Sequence, residues 1–122
     1  MKIKIIQING NEVVASTGIS TIRGTFYSRQ PLELKEYNVE MDFDDVVKIE
    51  KMSKDSFQHS IYNEKGNVCL HGFVECVEDG VVFLRLNNDL IMLEIKKQLD
   101  CSAFFNQNVK VTVEGICMYD ID

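Results

Sequence analysis

Three apolar runs between residues 67 and 95 give the strongest structural signal in the chain. The runs are rich in valine, leucine and isoleucine, and they are separated by Asp79-Gly80 and by Asn87-Asn88-Asp89. An Asp-Gly pair between two such runs predicts a hairpin, because both central residues of a type I′ turn need positive φ. Residues 67–95 are therefore predicted to fold as a three-stranded antiparallel meander.

A strict alternation of apolar and polar residues runs from residue 37 to residue 43. A period of two over this length predicts a strand with one face in the core and one face in water. The core face would hold Tyr37, Val39, Met41 and Phe43, and the water face would hold Asn38, Glu40 and Asp42. Asp44-Asp45 follows as a turn.

Weaker patterns predict the remaining elements. Residues 96–105 are predicted to form one short helix, because Leu99 and Ala103 recur at helical spacing. Short β-prone runs bounded by Gly, Asn, Ser or Pro predict further strands. These strands lie at residues 2–8, 12–16, 21–27, 46–49, 57–62, 109–113 and 116–121.

The order of the predicted elements limits the possible fold classes. From residue 67 the order is strand, strand, strand, helix, strand, strand, which is the order of an OB-fold, a five-stranded Greek-key barrel. We expect an all-β or β-rich α+β protein, built as an antiparallel curved sheet or barrel with one short helix near residues 96–105. A two-sheet sandwich that uses the strands of residues 1–62 is the alternative. A chain of 122 residues is expected to form a single domain, residues 1–122.

Charge is distributed unevenly along the chain. The formal net charge is −6, but residues 1–30 carry +3, so residues 31–122 carry −9. A negative surface repels phosphate groups and attracts basic proteins. Nucleic acid is therefore an unlikely ligand, and a basic protein is the expected partner.

The most acidic segment is residues 33–50, which contains seven acidic residues and two basic residues, Lys35 and Lys48. One interpretation is a charged edge strand that prevents aggregation. The other is an electrostatic docking surface for a basic protein. Under the second interpretation, the partner-binding residues are Glu40, Asp42, Asp44 and Asp45.

Candidate catalytic and metal-binding residues are few. The four cysteines, Cys69, Cys76, Cys101 and Cys117, show no C-x₂-C spacing and are expected to be reduced and buried in apolar runs. Cys69 and His71 would share one face of a strand, but nothing supplies an oxyanion hole. A triad could be assembled from Ser56, His59 and Asp55, but residues so close in sequence rarely meet with triad geometry. No phosphate-binding glycine motif occurs. We expect no catalytic residue, no metal, no cofactor and no enzymatic activity.

The N-terminal apolar run is too short for an export signal, and no stretch approaches the length of a membrane span. A cytoplasmic location without membrane attachment is therefore expected.

The acidic strand YNVEMDFDD and the acidic end MYDID, in a short β-rich chain with reduced cysteines, resemble the immunity proteins of bacterial contact-dependent growth inhibition systems. The resemblance rests on size, charge and the general pattern of residue types along the whole chain. It implies a non-enzymatic protein that binds and neutralises a cognate basic toxin, for example a nuclease. Two alternatives are an OB-like module that binds single-stranded nucleic acid and a structural or oligomeric assembly subunit.

Overall fold

The computed structural model describes residues 1–18, 20–53, 58–95 and 100–121. These residues form eleven β-strands and a 3₁₀ turn at Cys101–Phe104, and no helix among them is long and apolar enough to cross a membrane. The strands are β1 Lys2–Asn9, β2 Glu12–Ser16, β3 Thr21–Tyr27, β4 Glu36–Phe43, β5 Val46–Lys51, β6 Ser60–Glu64, β7 Asn67–Glu78, β8 Val81–Leu86, β9 Asp89–Glu94, β10 Asn108–Val113 and β11 Ile116–Asp120.

Five strands close into a barrel in the order β1-β2-β3-β11-β4, with β4 returning to β1. All pairs in the barrel are antiparallel except β3 and β11, which run parallel. Strands β1 to β4 are consecutive in sequence, whereas β11 lies near the C-terminal end of the chain. Closure of the barrel therefore depends on pairing between segments that are remote in sequence. The predicted barrel is confirmed, with the N-terminal strands as most of its wall.

The other six strands form an antiparallel sheet in the order β5-β10-β7-β8-β9, with β6 also paired to β7. His71 of β7 pairs with Ser60 and with Lys110, so β6 and β10 lie on opposite edges of β7. Phe73 pairs with Asn108 and with Arg85, which places β8 on the same edge as β6. The long strand β7 therefore holds β6 and β8 one after the other along one edge.

The predicted meander is confirmed as β7, β8 and β9. Asp79 and Gly80 have φ values of 50° and 76°, as a type I′ turn requires. In the element order after residue 67, the helix is reduced to the 3₁₀ turn, and the strands divide between the two sheets. β10 pairs with β5 and β7, whereas β11 joins the barrel.

The helix predicted at residues 96–105 is present only as the turn Cys101–Phe104, and residues 96–99 lie outside the described residues. The turn ends because Phe105 has a ψ of 134°, outside the helical range, and Asn106 has a φ of 61°. The Asn106 N–H already donates to the carbonyl of Val74, at 2.9 Å, which commits the backbone to the sheet. Similarly, the strand predicted at residues 57–62 begins at Ser60, and Phe57 is not among the described residues.

The core contains side chains from both sheets in one connected cluster. Val109, Val111 and Val113 are fully buried, as their alternation in the sequence predicts. The two sheets meet where β3 approaches β6. The Ser20 hydroxyl donates to the carbonyl of Ile61, and the Arg23 N–H donates to Asn63 Oδ1 at 2.7 Å.

Candidate functional site

The predicted acidic strand is β4, and its alternation is as expected. Tyr37 and Val39 are buried, whereas Glu40 and Asp42 are exposed on the outside of the barrel. Carboxylates on this face are available to a partner without disturbing the core.

Strand register places apolar groups beside these carboxylates. β11 lies between β3 and β4, and Tyr119 pairs with Tyr27 on one side and with Glu40 on the other. Paired positions hold side chains next to each other on one face. Accordingly, the rings of Tyr27 and Tyr119 stack with centroids 5.3 Å apart and planes 19° apart. In the next row, Cys117 pairs with Asp42.

Asp44 and Asp45 connect the barrel to the second sheet. The Asp44 N–H donates to the carbonyl of Gly115 at 3.0 Å, and the Glu114 N–H donates to the carbonyl of Asp45 at 3.0 Å. These two bonds fix the β4–β5 connection against the β10–β11 connection. As a result, the carboxylate of Glu114 joins the predicted acidic group, although it is remote in sequence.

Three grooves on this side of the molecule share residues and form one surface. The first, of about 760 Å³, lies beside Asp42, Asp44 and Asp45 and reaches Met92 and Tyr119. The second, of about 280 Å³, shares Asp42 and Met92 with the first. The third, of about 710 Å³, shares Tyr119 with the first and Ile121 with the second. We call the combined lining the acidic surface. Its carboxylates are Glu40, Asp42, Asp44, Asp45, Asp89, Glu94, Glu114 and Asp120.

Carboxylates outnumber basic groups on the acidic surface. Arg29 is the one Lys or Arg among the described residues that line the grooves. Within the described parts of the chain, no lysine or arginine lies within ion-pair distance of Glu40, Asp42 or Asp44. Asp89 of the acidic surface forms an ion pair with the N-terminal ammonium of Met1, at 3.4 Å. Five other ion pairs lie outside the grooves, and they are Lys2–Glu36, Lys35–Glu33, Lys48–Glu50, Arg85–Glu75 and Lys110–Glu64.

Two titratable groups within the acidic surface respond to this negative potential. Burial raises the pKa of the Cys117 thiol, and the carboxylates of Asp44 and Asp42 raise it further. Desolvation likewise raises the pKa of Tyr119, with added contributions from Cys117 and Asp42. Neighbouring negative charges disfavour a further anion, so both side chains remain protonated at neutral pH.

Exposed apolar side chains lie among the carboxylates. Met92 is 67% exposed and Ile121 is 59% exposed, and Leu90, Tyr27 and Tyr119 are also solvent-accessible. Apolar groups grouped on a surface and bordered by polar residues are typical of protein-binding sites. The sequence contains a signal for this feature: the run DLIMLE of β9 places apolar residues on both faces of a strand, which a one-sided core does not require.

Of the predicted site residues, all four are exposed and line the acidic surface. Asp89, Glu94, Glu114 and Asp120 complete the surface, and sequence reasoning did not assign them. Each lies on or beside a strand that reaches this face only through long-range pairing, so a local pattern could not identify them.

A separate polar cluster occupies the outer face of β6, β7 and β10. The Tyr62 hydroxyl lies 2.9 Å from Nε2 of His71, and Lys110 Nζ lies 3.0 Å from Glu64 Oε2. The Cys69 thiol contacts Glu64 and Thr112. Burial raises the pKa of Cys69, and burial together with the Lys110 charge lowers the pKa of His71. The pair therefore favours a neutral thiol and a neutral imidazole rather than the thiolate that a nucleophile requires.

The other histidine and cysteines have structural positions. Nδ1 of His59 accepts a hydrogen bond from the N–H of Asn87, at 2.6 Å, and so contacts the β8–β9 turn. All four cysteines are free thiols, but only Cys69 and Cys101 are buried, whereas Cys76 and Cys117 are half-buried. The expectation of burial is wrong for these two because each lies on an outward face of its strand. Among the described residues, no three His, Cys, Asp or Glu side chains are placed to hold a metal ion.

Comparison with protein-family models, with curated proteins and with solved structures finds no match for this chain.

Proposed function

We propose that the protein is a non-enzymatic inhibitor that binds a basic protein partner through the acidic surface. Its most specific form is an immunity protein that neutralises a cognate toxin in the cytoplasm. The observation that carries the proposal is the acidic surface itself, where eight carboxylates, one arginine and the N-terminal ammonium of Met1 border exposed apolar side chains. Four free thiols are in keeping with a reducing compartment.

The two components of the surface would have different roles. The excess of exposed carboxylates attracts a basic partner over a distance and raises its association rate. The exposed side chains of Met92, Tyr119 and Ile121 would then supply apolar contact area, which holds the complex once it has formed. A nuclease that binds phosphates through a basic cleft is complementary to such a surface, because carboxylates can take the positions of phosphates.

Binding of single-stranded nucleic acid is less well supported. The stacked pair Tyr27–Tyr119 and nearby Arg29 could contact a base and a phosphate. However, Asp120 lines the same groove, and Glu40 pairs directly with Tyr119. Attraction of phosphate groups dominates the affinity for single strands, so these carboxylates oppose the binding of nucleic acid.

The proposal can be tested with the product of an adjacent gene that encodes a basic, growth-inhibiting domain. Co-expression of this protein should restore growth, and the two purified proteins should elute as one complex in gel filtration. Continued growth arrest, with both proteins folded and eluting separately, would contradict an inhibitory role.

The placement of the site needs a matched pair of variants. Glu40→Lys/Asp42→Lys reverses two carboxylates of the acidic surface. Glu33→Lys/Glu36→Lys changes the net charge equally, but at residues that pair with Lys35 and Lys2 outside the grooves. Growth protection should be lost in the first variant and kept in the second. Equal loss in both would show that total charge, rather than this surface, governs binding.

A further inference from the structure

The free edge of β9 borders the acidic surface. Within the described residues, β9 pairs only with β8 and ends the second sheet. The Ile95 N–H donates to the carbonyl of Gly80 at 2.8 Å, which fixes which residues bond towards β8. Because backbone groups alternate along a strand, those of Leu90, Met92 and Glu94 point away from β8. Three residues thus present both an N–H and a carbonyl at an open edge.

This edge lacks the usual protection against pairing. Natural edge strands carry lysines, prolines or bulges that block further strands. β9 has none of these, and its pairing with β8 is regular from Val81–Glu94 to Leu86–Asp89. At the other end of the sheet, β5 contains Lys48 and Lys51, and its register with β10 is interrupted at Thr112/Val113. The terminal strand β5 is therefore protected along its length, whereas β9 carries charged side chains only at its two ends, Asp89 and Glu94.

The side chains along the open edge define what could be added there. Leu90 and Met92 are 45% and 67% exposed, while Ile91 and Leu93, which alternate with them, are buried. The groove of about 280 Å³ beside this part of β9 is also lined by Glu40 and Asp42 of β4. An added strand would therefore contact apolar side chains along β9 and carboxylates on β4.

We propose that β9 receives an extended, basic segment of the partner as an additional strand of the second sheet. Main-chain hydrogen bonds to Leu90, Met92 and Glu94 would hold the segment, and its Lys or Arg side chains would face Glu40 and Asp42. A second copy of this chain fits less well, because it would bring Asp89 and Glu94 of both copies to one edge. The inference rests on the proposed function, since it assumes the same basic partner.

Amide hydrogen exchange, measured by NMR with a short peptide of alternating lysine and valine, tests this directly. On binding at low salt, the amides of Leu90, Met92 and Glu94 should gain protection of about tenfold or more, as expected for newly bonded edge amides. The amides of Ile91 and Leu93 should change little, because they are already bonded to β8. Peptide binding without this alternation would overturn strand addition.

A proline variant provides an independent test. Met92→Pro removes an N–H that points away from β8, so the existing sheet keeps its hydrogen bonds. The peptide Kd should rise by about tenfold, because one backbone hydrogen bond to the peptide is lost and the adjacent ones are weakened. Met92→Ala loses the same apolar side chain but keeps the N–H, so it measures the side-chain contribution alone, with an expected rise in Kd of less than about threefold. Equal effects of the two variants would contradict the inference.

The same measurements separate this inference from the proposed function. If Glu40→Lys/Asp42→Lys weakens peptide binding but edge protection is absent, the acidic surface binds and strand addition is wrong. If this double variant leaves peptide binding unchanged, the proposed function itself fails. If edge protection appears without peptide and increases with protein concentration, the occupant is a second copy, and the assignment to a basic partner is wrong.

Discussion

Gly24 lies where the parallel strands β3 and β11 close the barrel. A Cβ at this position would be 2.6 Å from Ile116 Cγ2, 2.8 Å from the Ile116 carbonyl oxygen and 3.1 Å from Met118 Cε. Ile116 and Met118 are buried, and a backbone oxygen cannot rotate away. Gly24→Ala should therefore force β3 and β11 apart and destabilise the protein.

The expected magnitude follows from two opposing effects. Overpacking a well-packed core by one methyl group costs about 1–3 kcal/mol. Alanine also reduces the freedom of the unfolded chain, which offsets about 0.4–1 kcal/mol. The net loss should be about 1–2 kcal/mol, and with a urea m-value of about 2 kcal/mol per molar the unfolding midpoint should fall by about 0.5–1 M.

Gly115→Ala is a matched control. A Cβ at Gly115 would also meet an atom at 2.6 Å, but that atom is Oδ2 of Asp44, the end of an exposed side chain that can rotate away. Its free energy of unfolding should therefore stay within about 0.5 kcal/mol of wild type, in keeping with a surface substitution, and its urea midpoint within about 0.25 M. If Gly24→Ala leaves the midpoint unchanged, or if both variants fall equally, the described closure of the barrel is wrong.

Two further predictions concern titratable and thiol groups. Burial, with the Lys110 charge, lowers the pKa of His71 below its ordinary value of 6.5. The stability from this neutral histidine is thus present above pH 6.5 and is lost as the pH falls through the folded-state pKa. The free energy of unfolding, measured in urea at a series of pH values below 6.5, should fall more steeply for wild type than for His71→Gln. The same pH dependence in both proteins would contradict the half-buried position of His71. Cys69 and Cys101 are buried, with pKa values raised by burial, so N-ethylmaleimide should modify them far more slowly in the native protein than in urea. Mass spectrometry of digests would detect equal rates, which would refute their burial.

The strands could be predicted from sequence because their signals are local. The alternation at residues 37–43, the Asp79-Gly80 turn and the three valines of β10 each lie within one short window, and each has the predicted conformation. Within the described residues the predicted helix is limited to the 3₁₀ turn Cys101–Phe104, because the chain that follows is tied to β7 by the Asn106 N–H, a long-range bond that helical spacing does not report.

The acidic surface could be predicted only in part, for the same reason. Glu40, Asp42, Asp44 and Asp45 are consecutive or alternate in the chain, so one strand and one turn place them together. Glu94 and Glu114 reach the same groove through the pairing of β9 and the bonds at Gly115. Register between remote strands is set by packing across the whole fold, and no single window of sequence contains it.

The most direct test of the central claim is the association rate with a basic partner, measured by stopped flow at low and high salt. At low salt, Glu40→Lys/Asp42→Lys should slow association by about tenfold or more relative to wild type, because it removes electrostatic steering. At high salt the difference should shrink, since exposed charges are screened. Glu33→Lys/Glu36→Lys, with the same net charge, should remain within about twofold of wild type, because its exposed ion pairs contribute little. Equal association rates for the two variants, or a rate for Glu40→Lys/Asp42→Lys that salt does not affect, would contradict a docking role for the acidic surface.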